Sequence, residues 1–298
     1  MLRYTLRQLE VFAAVADQGS IAAAAQSLHV SESAVAGALN NLERAFGAQL
    51  AIRRKAHGIT LTTAGQNVLG RARSLLVDAV DLQLHAGGSD AEVRGSLVLG
   101  CYLTLAPTVL ARLIEHYGRR YPLVELDFYD GPQSEIHRRL ADGQLDVAIA
   151  YDLSLPAGLS RQPLFAAEPA VVLSAGHPLA ERTELSLADV APEPMILLDV
   201  DPSRENTMTM FDAAGLVPNV RFRTTDYEVT RSLVGRGMGY AILVQQPAGE
   251  LSYEGRPLVV RPLSPAVRPV PVSMVWPSAL RPSRSVAAML GLAAELYG

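Results

Sequence analysis

The sequence predicts an α/β protein with an all-α, winged amino-terminal part: a winged helix-turn-helix head, a long linking helix, and two α/β lobes. Three observations predict this. Short, well-capped helical periodicities crowd residues 5–47; a seam of apolar residues stepping by three and four runs from 68 to 86; and from Val93 onward apolar runs alternate with amphipathic segments. A chain of 298 residues has room for such a division.

In the first helix, "TLRQLEVFAAVADQ", Leu6, Leu9, Phe12, Ala13 and Ala16 share one face and Thr5 is placed to cap it. Ser20 caps a second helix, "IAAAAQSL", and "HVS" connects it tightly to a third, "ESAVAGALNNLERAF", which Gly47 ends. Val35, Leu39, Leu42 and Phe46 recur at helical spacing and call for a core, while Glu32, Ser33, Ala36 and Asn40 make a small polar opposite face. Two short helices joined by a brief turn, the second presenting such a face, form a helix-turn-helix pattern. "AQLAIRRKAHGITLT" then reads as a wing with Gly58 at the hairpin tip. Thr63 and Gln66 have capping-box spacing at the start of the long helix. Along that helix Val68, Ala72, Leu75, Ala79, Leu82 and Ala86 form the seam, which suits either its own domain or a second chain, with pairing favoured because its flanks are polar. "AGGSD" at 86–90 closes it.

Beyond the linker, "SLVLGC", "TVLARLIEHYGRRYP", "LVELDFYDG", "SEIHRRLADG" and "LDVAIAY" alternate strand and helix, which predicts a parallel sheet with right-handed crossovers. A second set runs from "PAVVLSAG" to "GYAILV", and "VPVSMVW" with a closing helix returns to the first. The expected division is residues 1–62 for the head, 63–90 for the linking helix and hinge, and 91–298 for the lobes: lobe 1 about 91–163 and 268–298, lobe 2 about 164–267.

Composition narrows the possible functions. A single cysteine, Cys101, excludes an internal disulfide framework and a multi-cysteine metal site, and the six histidines lack ligand spacing, so neither metal nor cofactor is expected. The first thirty residues lack the layout of a secretory signal, and the longest uncharged run, 95–111, is too short to span a bilayer; a cytoplasmic protein without a membrane partner is expected. The net charge of −4 is uneven. Residues 1–62 carry six basic and four acidic side chains, the remainder 20 basic and 26 acidic, which points the head toward an anion.

The head resembles the LysR-type transcriptional regulators, through Phe12, Ser20, Ala24, Ala25, Leu28, Ser31, Ser33, Ala34, Val35, Leu42, Glu43, Gly47, Arg53, Gly58, Leu61, Thr62, Ala64 and Gly65. "GSLVLG", "GQLDVAIAY", "GHPLA" and "LVGRGMGYAIL" extend the resemblance over most of the chain. It implies a winged helix-turn-helix, a dimerising linker helix, a periplasmic-binding-protein-like two-lobed sensor, homotetramers on double-stranded operator DNA, and a small effector in the cleft; RNA polymerase is a further candidate partner. The chain departs from many relatives at Ala36, Gly37, Ala38 and Ala51, which leaves few long side chains for base readout.

On this reading Ser31, Ser33 and Ala34 at the third helix's start, Asn40 on its exposed face, and Arg53, Arg54 and Lys55 in the wing are the candidate DNA contacts. The serines also serve as caps, Asn40 suits adenine, phosphate or solvent, and the basic trio suits phosphate or the minor groove as well as a solvated loop. Segments after strand ends supply the effector candidates: Cys101, Tyr102, Thr104, Gln133, Ser134, Tyr151, Ser203, Arg204 and Thr225. Thr104 and Ser134 suit an anion or are plain helix caps. Arg204 offers a bidentate partner or is a surface residue. A small carboxylate is expected, and Tyr102 and Tyr151 leave room for an aromatic one. Cys101 fits a buried strand-end residue better than an oxidant sensor. Catalysis is not expected: no G-x-S-x-G, P-loop or HExxH is present, and "GRGMGY" at 235–240 follows a helix and precedes a strand, the reverse of a dinucleotide site.

Overall fold

The computed structural model describes residues 3–54, 58–86, 92–245 and 249–298. The head contains α1 (Leu6–Gln18), α2 (Ile21–Ser27) and α3 (Glu32–Phe46), then the wing strands β1 (Ala51–Arg54) and β2 (Gly58–Leu61) and the long helix α4 (Thr63–Ala86). Each helix starts where a side chain satisfies otherwise orphaned N–H groups. Thr5 and Gln8 form a reciprocal capping box on α1, Ser20 accepts from the Ala23 N–H, and Ser31 accepts from the Ala34 N–H. Gly47 ends α3 in the left-handed region, at φ 64°. The α4 cap lies one residue earlier than the sequence spacing indicates: Thr62 Oγ1 accepts from the Gly65 N–H at 3.0 Å and donates to the Gln49 carbonyl at 2.7 Å, which ties helix and wing together.

Leu9, Val11, Phe12, Val15, Val35, Leu39, Leu42 and Leu50 are buried together, and Leu69 and Ala72 of α4 complete that core. Two residues expected inside lie at its edge instead. Leu6 is exposed, and Phe46 is half-exposed and stacks on Tyr4 with centroids 5.0 Å apart. Farther along α4 the environment changes: Leu75, Val80 and Leu82 are exposed, Leu82 at 73%. The first half of the helix serves its own head, and the second half leaves apolar side chains in solvent.

Lobe 1 contains β3 (Gly95–Tyr102), a π-helical turn (Ala106–Leu110) leading into α5 (Ala111–Arg120), β4 (Val124–Gly131), α6 (Gln133–Ala141), β5 (Val147–Tyr151) and β6 (Leu159–Ala167). The chain then enters lobe 2: β7 (Ala170–Ser174), α7 (Leu187–Val190), β8 (Pro194–Leu198), α8 (Ser203–Ala213), β9 (Asn219–Thr224), α9 (Tyr227–Gly235), β10 (Ala241–Leu243) and β11 (Leu258–Pro262). It returns through β12 (Val270–Pro277) and α10 (Arg284–Tyr297).

The lobe 1 sheet has the order β4-β3-β5-β12-β6. β3 is parallel to β4 and β5, but β12 runs antiparallel to both β5 and β6, so the sheet is mixed and not the all-parallel one expected. β6 pairs with β12 as far as Ala167↔Val270, which carries lobe 1 past the expected boundary at 163. The crossings therefore fall at residues 168–169 and 263–269. In lobe 2, β7 lies between β10 and β11, and the Ile196 N–H to Tyr240 carbonyl bond at 2.7 Å joins the parallel pair β8-β9 to that sheet.

Two glycines with opposite surroundings test the head. A Cβ on Gly65 would lie 2.0 Å from the Leu50 carbonyl oxygen, whereas one on Gly37 meets nothing within 4 Å. Gly65→Ala is expected to lower stability by roughly 2 kcal/mol and to raise amide exchange across α1–α3 while leaving the lobes unchanged. Gly37→Ala should stabilise the head by up to about 1 kcal/mol. Thermal denaturation of both variants checks the signs.

Candidate functional site

The head presents the amino-terminal end of α3 to solvent. Ser31, Glu32, Ser33, Ala34 and Asn40 are all exposed. The two serine hydroxyls are 2.9 Å apart, and Ser31 also accepts from the Ala34 N–H at 3.2 Å, so its cap role and a phosphate contact use the same oxygen. Ala36 and Gly37 keep the next turn slim, while Ala38 packs against the head's core. The backbone of Arg53 and Arg54 forms β1, while Lys55 lies outside the described residues.

The wing is held to α3 by Glu43, a residue the sequence marks only as a family match. Its Oε1 accepts from the N–H groups of Leu50 and Ala51, at 2.8 and 3.1 Å. A carboxylate accepting two backbone donors fixes where β1 leaves α3, and therefore where the two arginines sit relative to α3.

The second site lies between the lobes. A cavity of about 10 Å³, room for roughly one water molecule, is lined by Thr104, Tyr151, Leu198, Ser203, Thr207, Tyr227, Ile242, Leu243, Val244 and Gln245. The lobes are closed over it. Tyr102 of lobe 1 and Ser203 of lobe 2 share a hydrogen bond of 2.9 Å, Thr108 Oγ1 donates to Gln245 Oε1 at 3.2 Å, and one apolar core runs continuously through both lobes. Thr104 and Tyr151 hydroxyls lie 3.2 Å apart, the Tyr227 hydroxyl donates to the Gln245 carbonyl, and the Tyr102 and Tyr151 rings sit 5.2 Å apart at 59°. Burial pushes the Tyr102 and Tyr227 phenols up to about 12, and that of Tyr151 well above its usual value. Tyr151 and Tyr227 face the cavity as neutral hydroxyls, and Tyr102 stands beside it.

Of the sequence candidates, Thr104, Tyr151 and Ser203 meet at this cavity, with Tyr102 bonded to Ser203 beside it. The others are elsewhere, each for a local reason. Gln133 is buried and its amide is used on β5: Nε2 donates to the carbonyls of Tyr151 and Leu153, at 3.1 and 2.9 Å, and Oε1 accepts from the Tyr151 N–H. Ser134 is exposed inside α6 and caps nothing, because Pro132 precedes the helix. Arg204 turns outward to Asp199, at 3.0 Å, and to Glu205. Thr225 is exposed. Cys101 is fully buried in the core, where desolvation raises its thiol well above the usual range. Tyr227, Thr207 and Gln245 went unnoticed in the sequence; the only signal was their position just beyond strand ends of lobe 2 or in the first turns of its helices.

A winged helix-turn-helix head carried on a long helix in front of a closed two-lobed sensor defines a ligand-sensing DNA-binding regulator. Residues 6–66 match the bacterial regulatory helix-turn-helix protein, lysR family, and residues 90–297 match the LysR substrate binding domain. The chain belongs to the LysR family of DNA-binding transcriptional regulators. It is 29% identical over 298 residues to the uncharacterized HTH-type transcriptional regulator YvbU of Bacillus subtilis (99% of each chain). It is also 28% identical to the hydrogen peroxide-inducible genes activator of Pectobacterium carotovorum, over 80% of this chain and 79% of that one. The crystal structure of HinK, a LysR family regulator from Pseudomonas aeruginosa, superposes with TM-score 0.67 at 32% identity, covering 99% of both chains.

Two substitutions probe these sites. Glu43→Ala removes a negative charge from the helix that carries the candidate DNA contacts, which by charge alone strengthens binding to a polyanion. Loss of the two backbone anchors is expected to dominate and to weaken operator affinity roughly tenfold in gel-shift titration. Tyr102→Phe deletes one of the hydrogen bonds between the lobes and should speed amide exchange around Ser203 by about fivefold, read by mass spectrometry.

Proposed function

We propose that the protein binds operator DNA as a dimer of dimers and that a small organic acid in the cleft between its lobes shifts that binding. The observation that carries the DNA reading is the exposed α3 start, Ser31, Ser33 and Ala34, mounted beside a wing whose strand contains Arg53 and Arg54. The serines and the free N–H groups of α3 meet phosphate, Asn40 meets a base edge or phosphate, and Arg53, Arg54 and Lys55 supply positive charge at the flanking groove. Because the α3 face is small, sequence preference rests on DNA shape and wing contacts more than on long side chains reading bases. Leu75, Val80 and Leu82 on the second half of α4 support pairing with a second chain, which doubles the weak contacts of one head.

For the effector, the cavity wall supplies hydroxyls of Thr104, Tyr151, Ser203 and Tyr227 and no charged side chain. Ser203 is the first residue of α8, so the positive end of an eleven-residue helix lies at that wall. A carboxylate is held there by neutral donors and the helix end, with no arginine clamp. The closed cavity is far smaller than any organic acid. Entry therefore requires the lobes to part at the Tyr102–Ser203 contact, and ligand affinity is reduced by the cost of opening. The relatives named hydrogen peroxide-inducible genes activators suggest a response to peroxide as an alternative, but the single cysteine, Cys101, is fully buried and offers no accessible thiol to oxidise.

Gel-shift titration with the DNA upstream of the protein's own gene is the test: a sequence-preferring complex that weakens steeply with salt is expected, and a complex indifferent to sequence and salt refutes the operator reading. Replacing both Arg53 and Arg54 by alanine should weaken that complex more than Asn40→Ala does. The opposite ranking overturns the shape-and-wing account.

A further inference from the structure

A second cavity, of about 660 Å³, opens at the joint between α4 and lobe 1, and its lining shares no residue with the cavity between the lobes. Its walls come chiefly from three places: α4 contributes Asn67 and Arg71, the end of α6 contributes Leu140, and the end of β12 with the loop to α10 contributes Trp276, Leu280 and Arg281. The volume lies within the range of small-molecule sites, and the wall mixes apolar surface with a few polar groups, as such sites do. Beside it the two parts of the chain touch. A Cβ on Gly70 would lie 2.6 Å from the Ala141 carbonyl oxygen, and Arg73 donates to the Asp142 carbonyl at 2.6 Å while pairing with Asp17 of the head.

The charge at this cavity is unbalanced. Arg71 and Arg281 are exposed at its wall, and no hydrogen bond or ion pair engages either of them among the described residues. Arg73 is answered by Asp17. The one acid on the wall, Asp146, forms no ion pair with either arginine; it accepts from the Val98 N–H at 2.7 Å. Two guanidinium groups without a hydrogen-bond or ion-pair partner among the described residues, lining one cavity together with an indole and leucine side chains, make a receptor for a flat, apolar body with a negative charge.

We propose that this cavity is a second ligand site, for an aromatic organic monoanion, whose occupant bridges α4 and lobe 1. The anion is held by Arg71 from one side and Arg281 from the other, and the aromatic body lies against Trp276 and Leu280. A ligand touching both sides binds only while α4 rests on lobe 1, so it favours that arrangement in proportion to its affinity. This goes beyond the cleft effector, and it does not depend on that effector's identity.

Trp276 is the only tryptophan in the chain, so tryptophan-selective excitation starts from this cavity's wall, and the arginine variants below assign the probe to the cavity. The probe is anilinonaphthalene sulfonate, an aromatic monoanion that accepts energy from tryptophan, titrated into the full-length protein with excitation selective for tryptophan. We expect saturable quenching of Trp276 with sensitised probe emission, one site per chain, and slower amide exchange at residues 66–73 and 139–146. Affinity should fall at least about tenfold in the Arg71→Gln/Arg281→Gln double variant, whose thermal denaturation serves as the folding control. The uncharged analogue phenylnaphthylamine should bind wild type at least about tenfold more weakly. Wild-type affinity in the double variant, or equal affinity for the uncharged analogue, refutes the anion site. Probe binding without energy transfer from Trp276, as when a second copy of the chain covers the cavity, refutes it too. Binding at the site without slower exchange in the two segments refutes the bridging role.

Discussion

Arg73 stands where the three parts of the molecule meet. Its guanidinium pairs with Asp17 of the head and donates to the Asp142 carbonyl of lobe 1, while its own helix buries Leu69 and Ala72 in the head's core. One residue type suits this position. A planar fork with several donors satisfies a carboxylate and a carbonyl at once, and it keeps its charge under all conditions. The close approach of Gly70 to Ala141 makes the contact possible, since a side chain at 70 holds the helix away from the lobe and breaks the bridge. The orientation of the winged head relative to lobe 1 therefore depends on a small contact of a few polar groups. A contact of that size is strong enough to set a preferred arrangement and weak enough to be exchanged for another.

The sensor shows the same balance. A core that passes without a break from lobe 1 to lobe 2 favours closure, yet the residues joining the lobes are hydroxyls and one amide, which bond equally well to a small polar guest. The chain crosses between lobes only at 168–169 and 263–269, next to the paired strands β6 and β12. Parting the lobes thus bends two short connections and leaves both sheets intact, which is how hinge motions keep their cost low.

Much of the fold is legible in the sequence because its signals are local. Thr5 with Gln8, Ser20, Ser31 and Gly47 each act on backbone groups within a few residues, so spacing alone locates the head's helices. Adjacent threonines at 62 and 63 offer the same chemistry, and only the wing's Gln49 carbonyl selects the first. The antiparallel course of β12 and the full length of β6 depend on pairing partners about a hundred residues away, and no local pattern encodes them. The cleft was half legible for the same reason. A polar residue after a strand end is easy to pick out, but whether it faces the cavity depends on which backbone or carboxylate partner claims it first. Gln133 is claimed by β5 and Arg204 by Asp199 and Glu205, whereas Tyr227 and Gln245 reach the cavity only because lobe 2 folds over lobe 1.

The neutral wall of the cleft has a consequence for how the sensor performs in a cell. Its phenols are held far above the range in which living cells operate, and its remaining polar groups are alcohols and an amide, which do not ionise there. The cavity wall therefore adds no titrating group of its own near neutral pH. For the small acid proposed as its guest, the groups left to respond to acidity are the guest's own carboxyl and the nearby carboxyl of Asp201, which burial raises above its usual value.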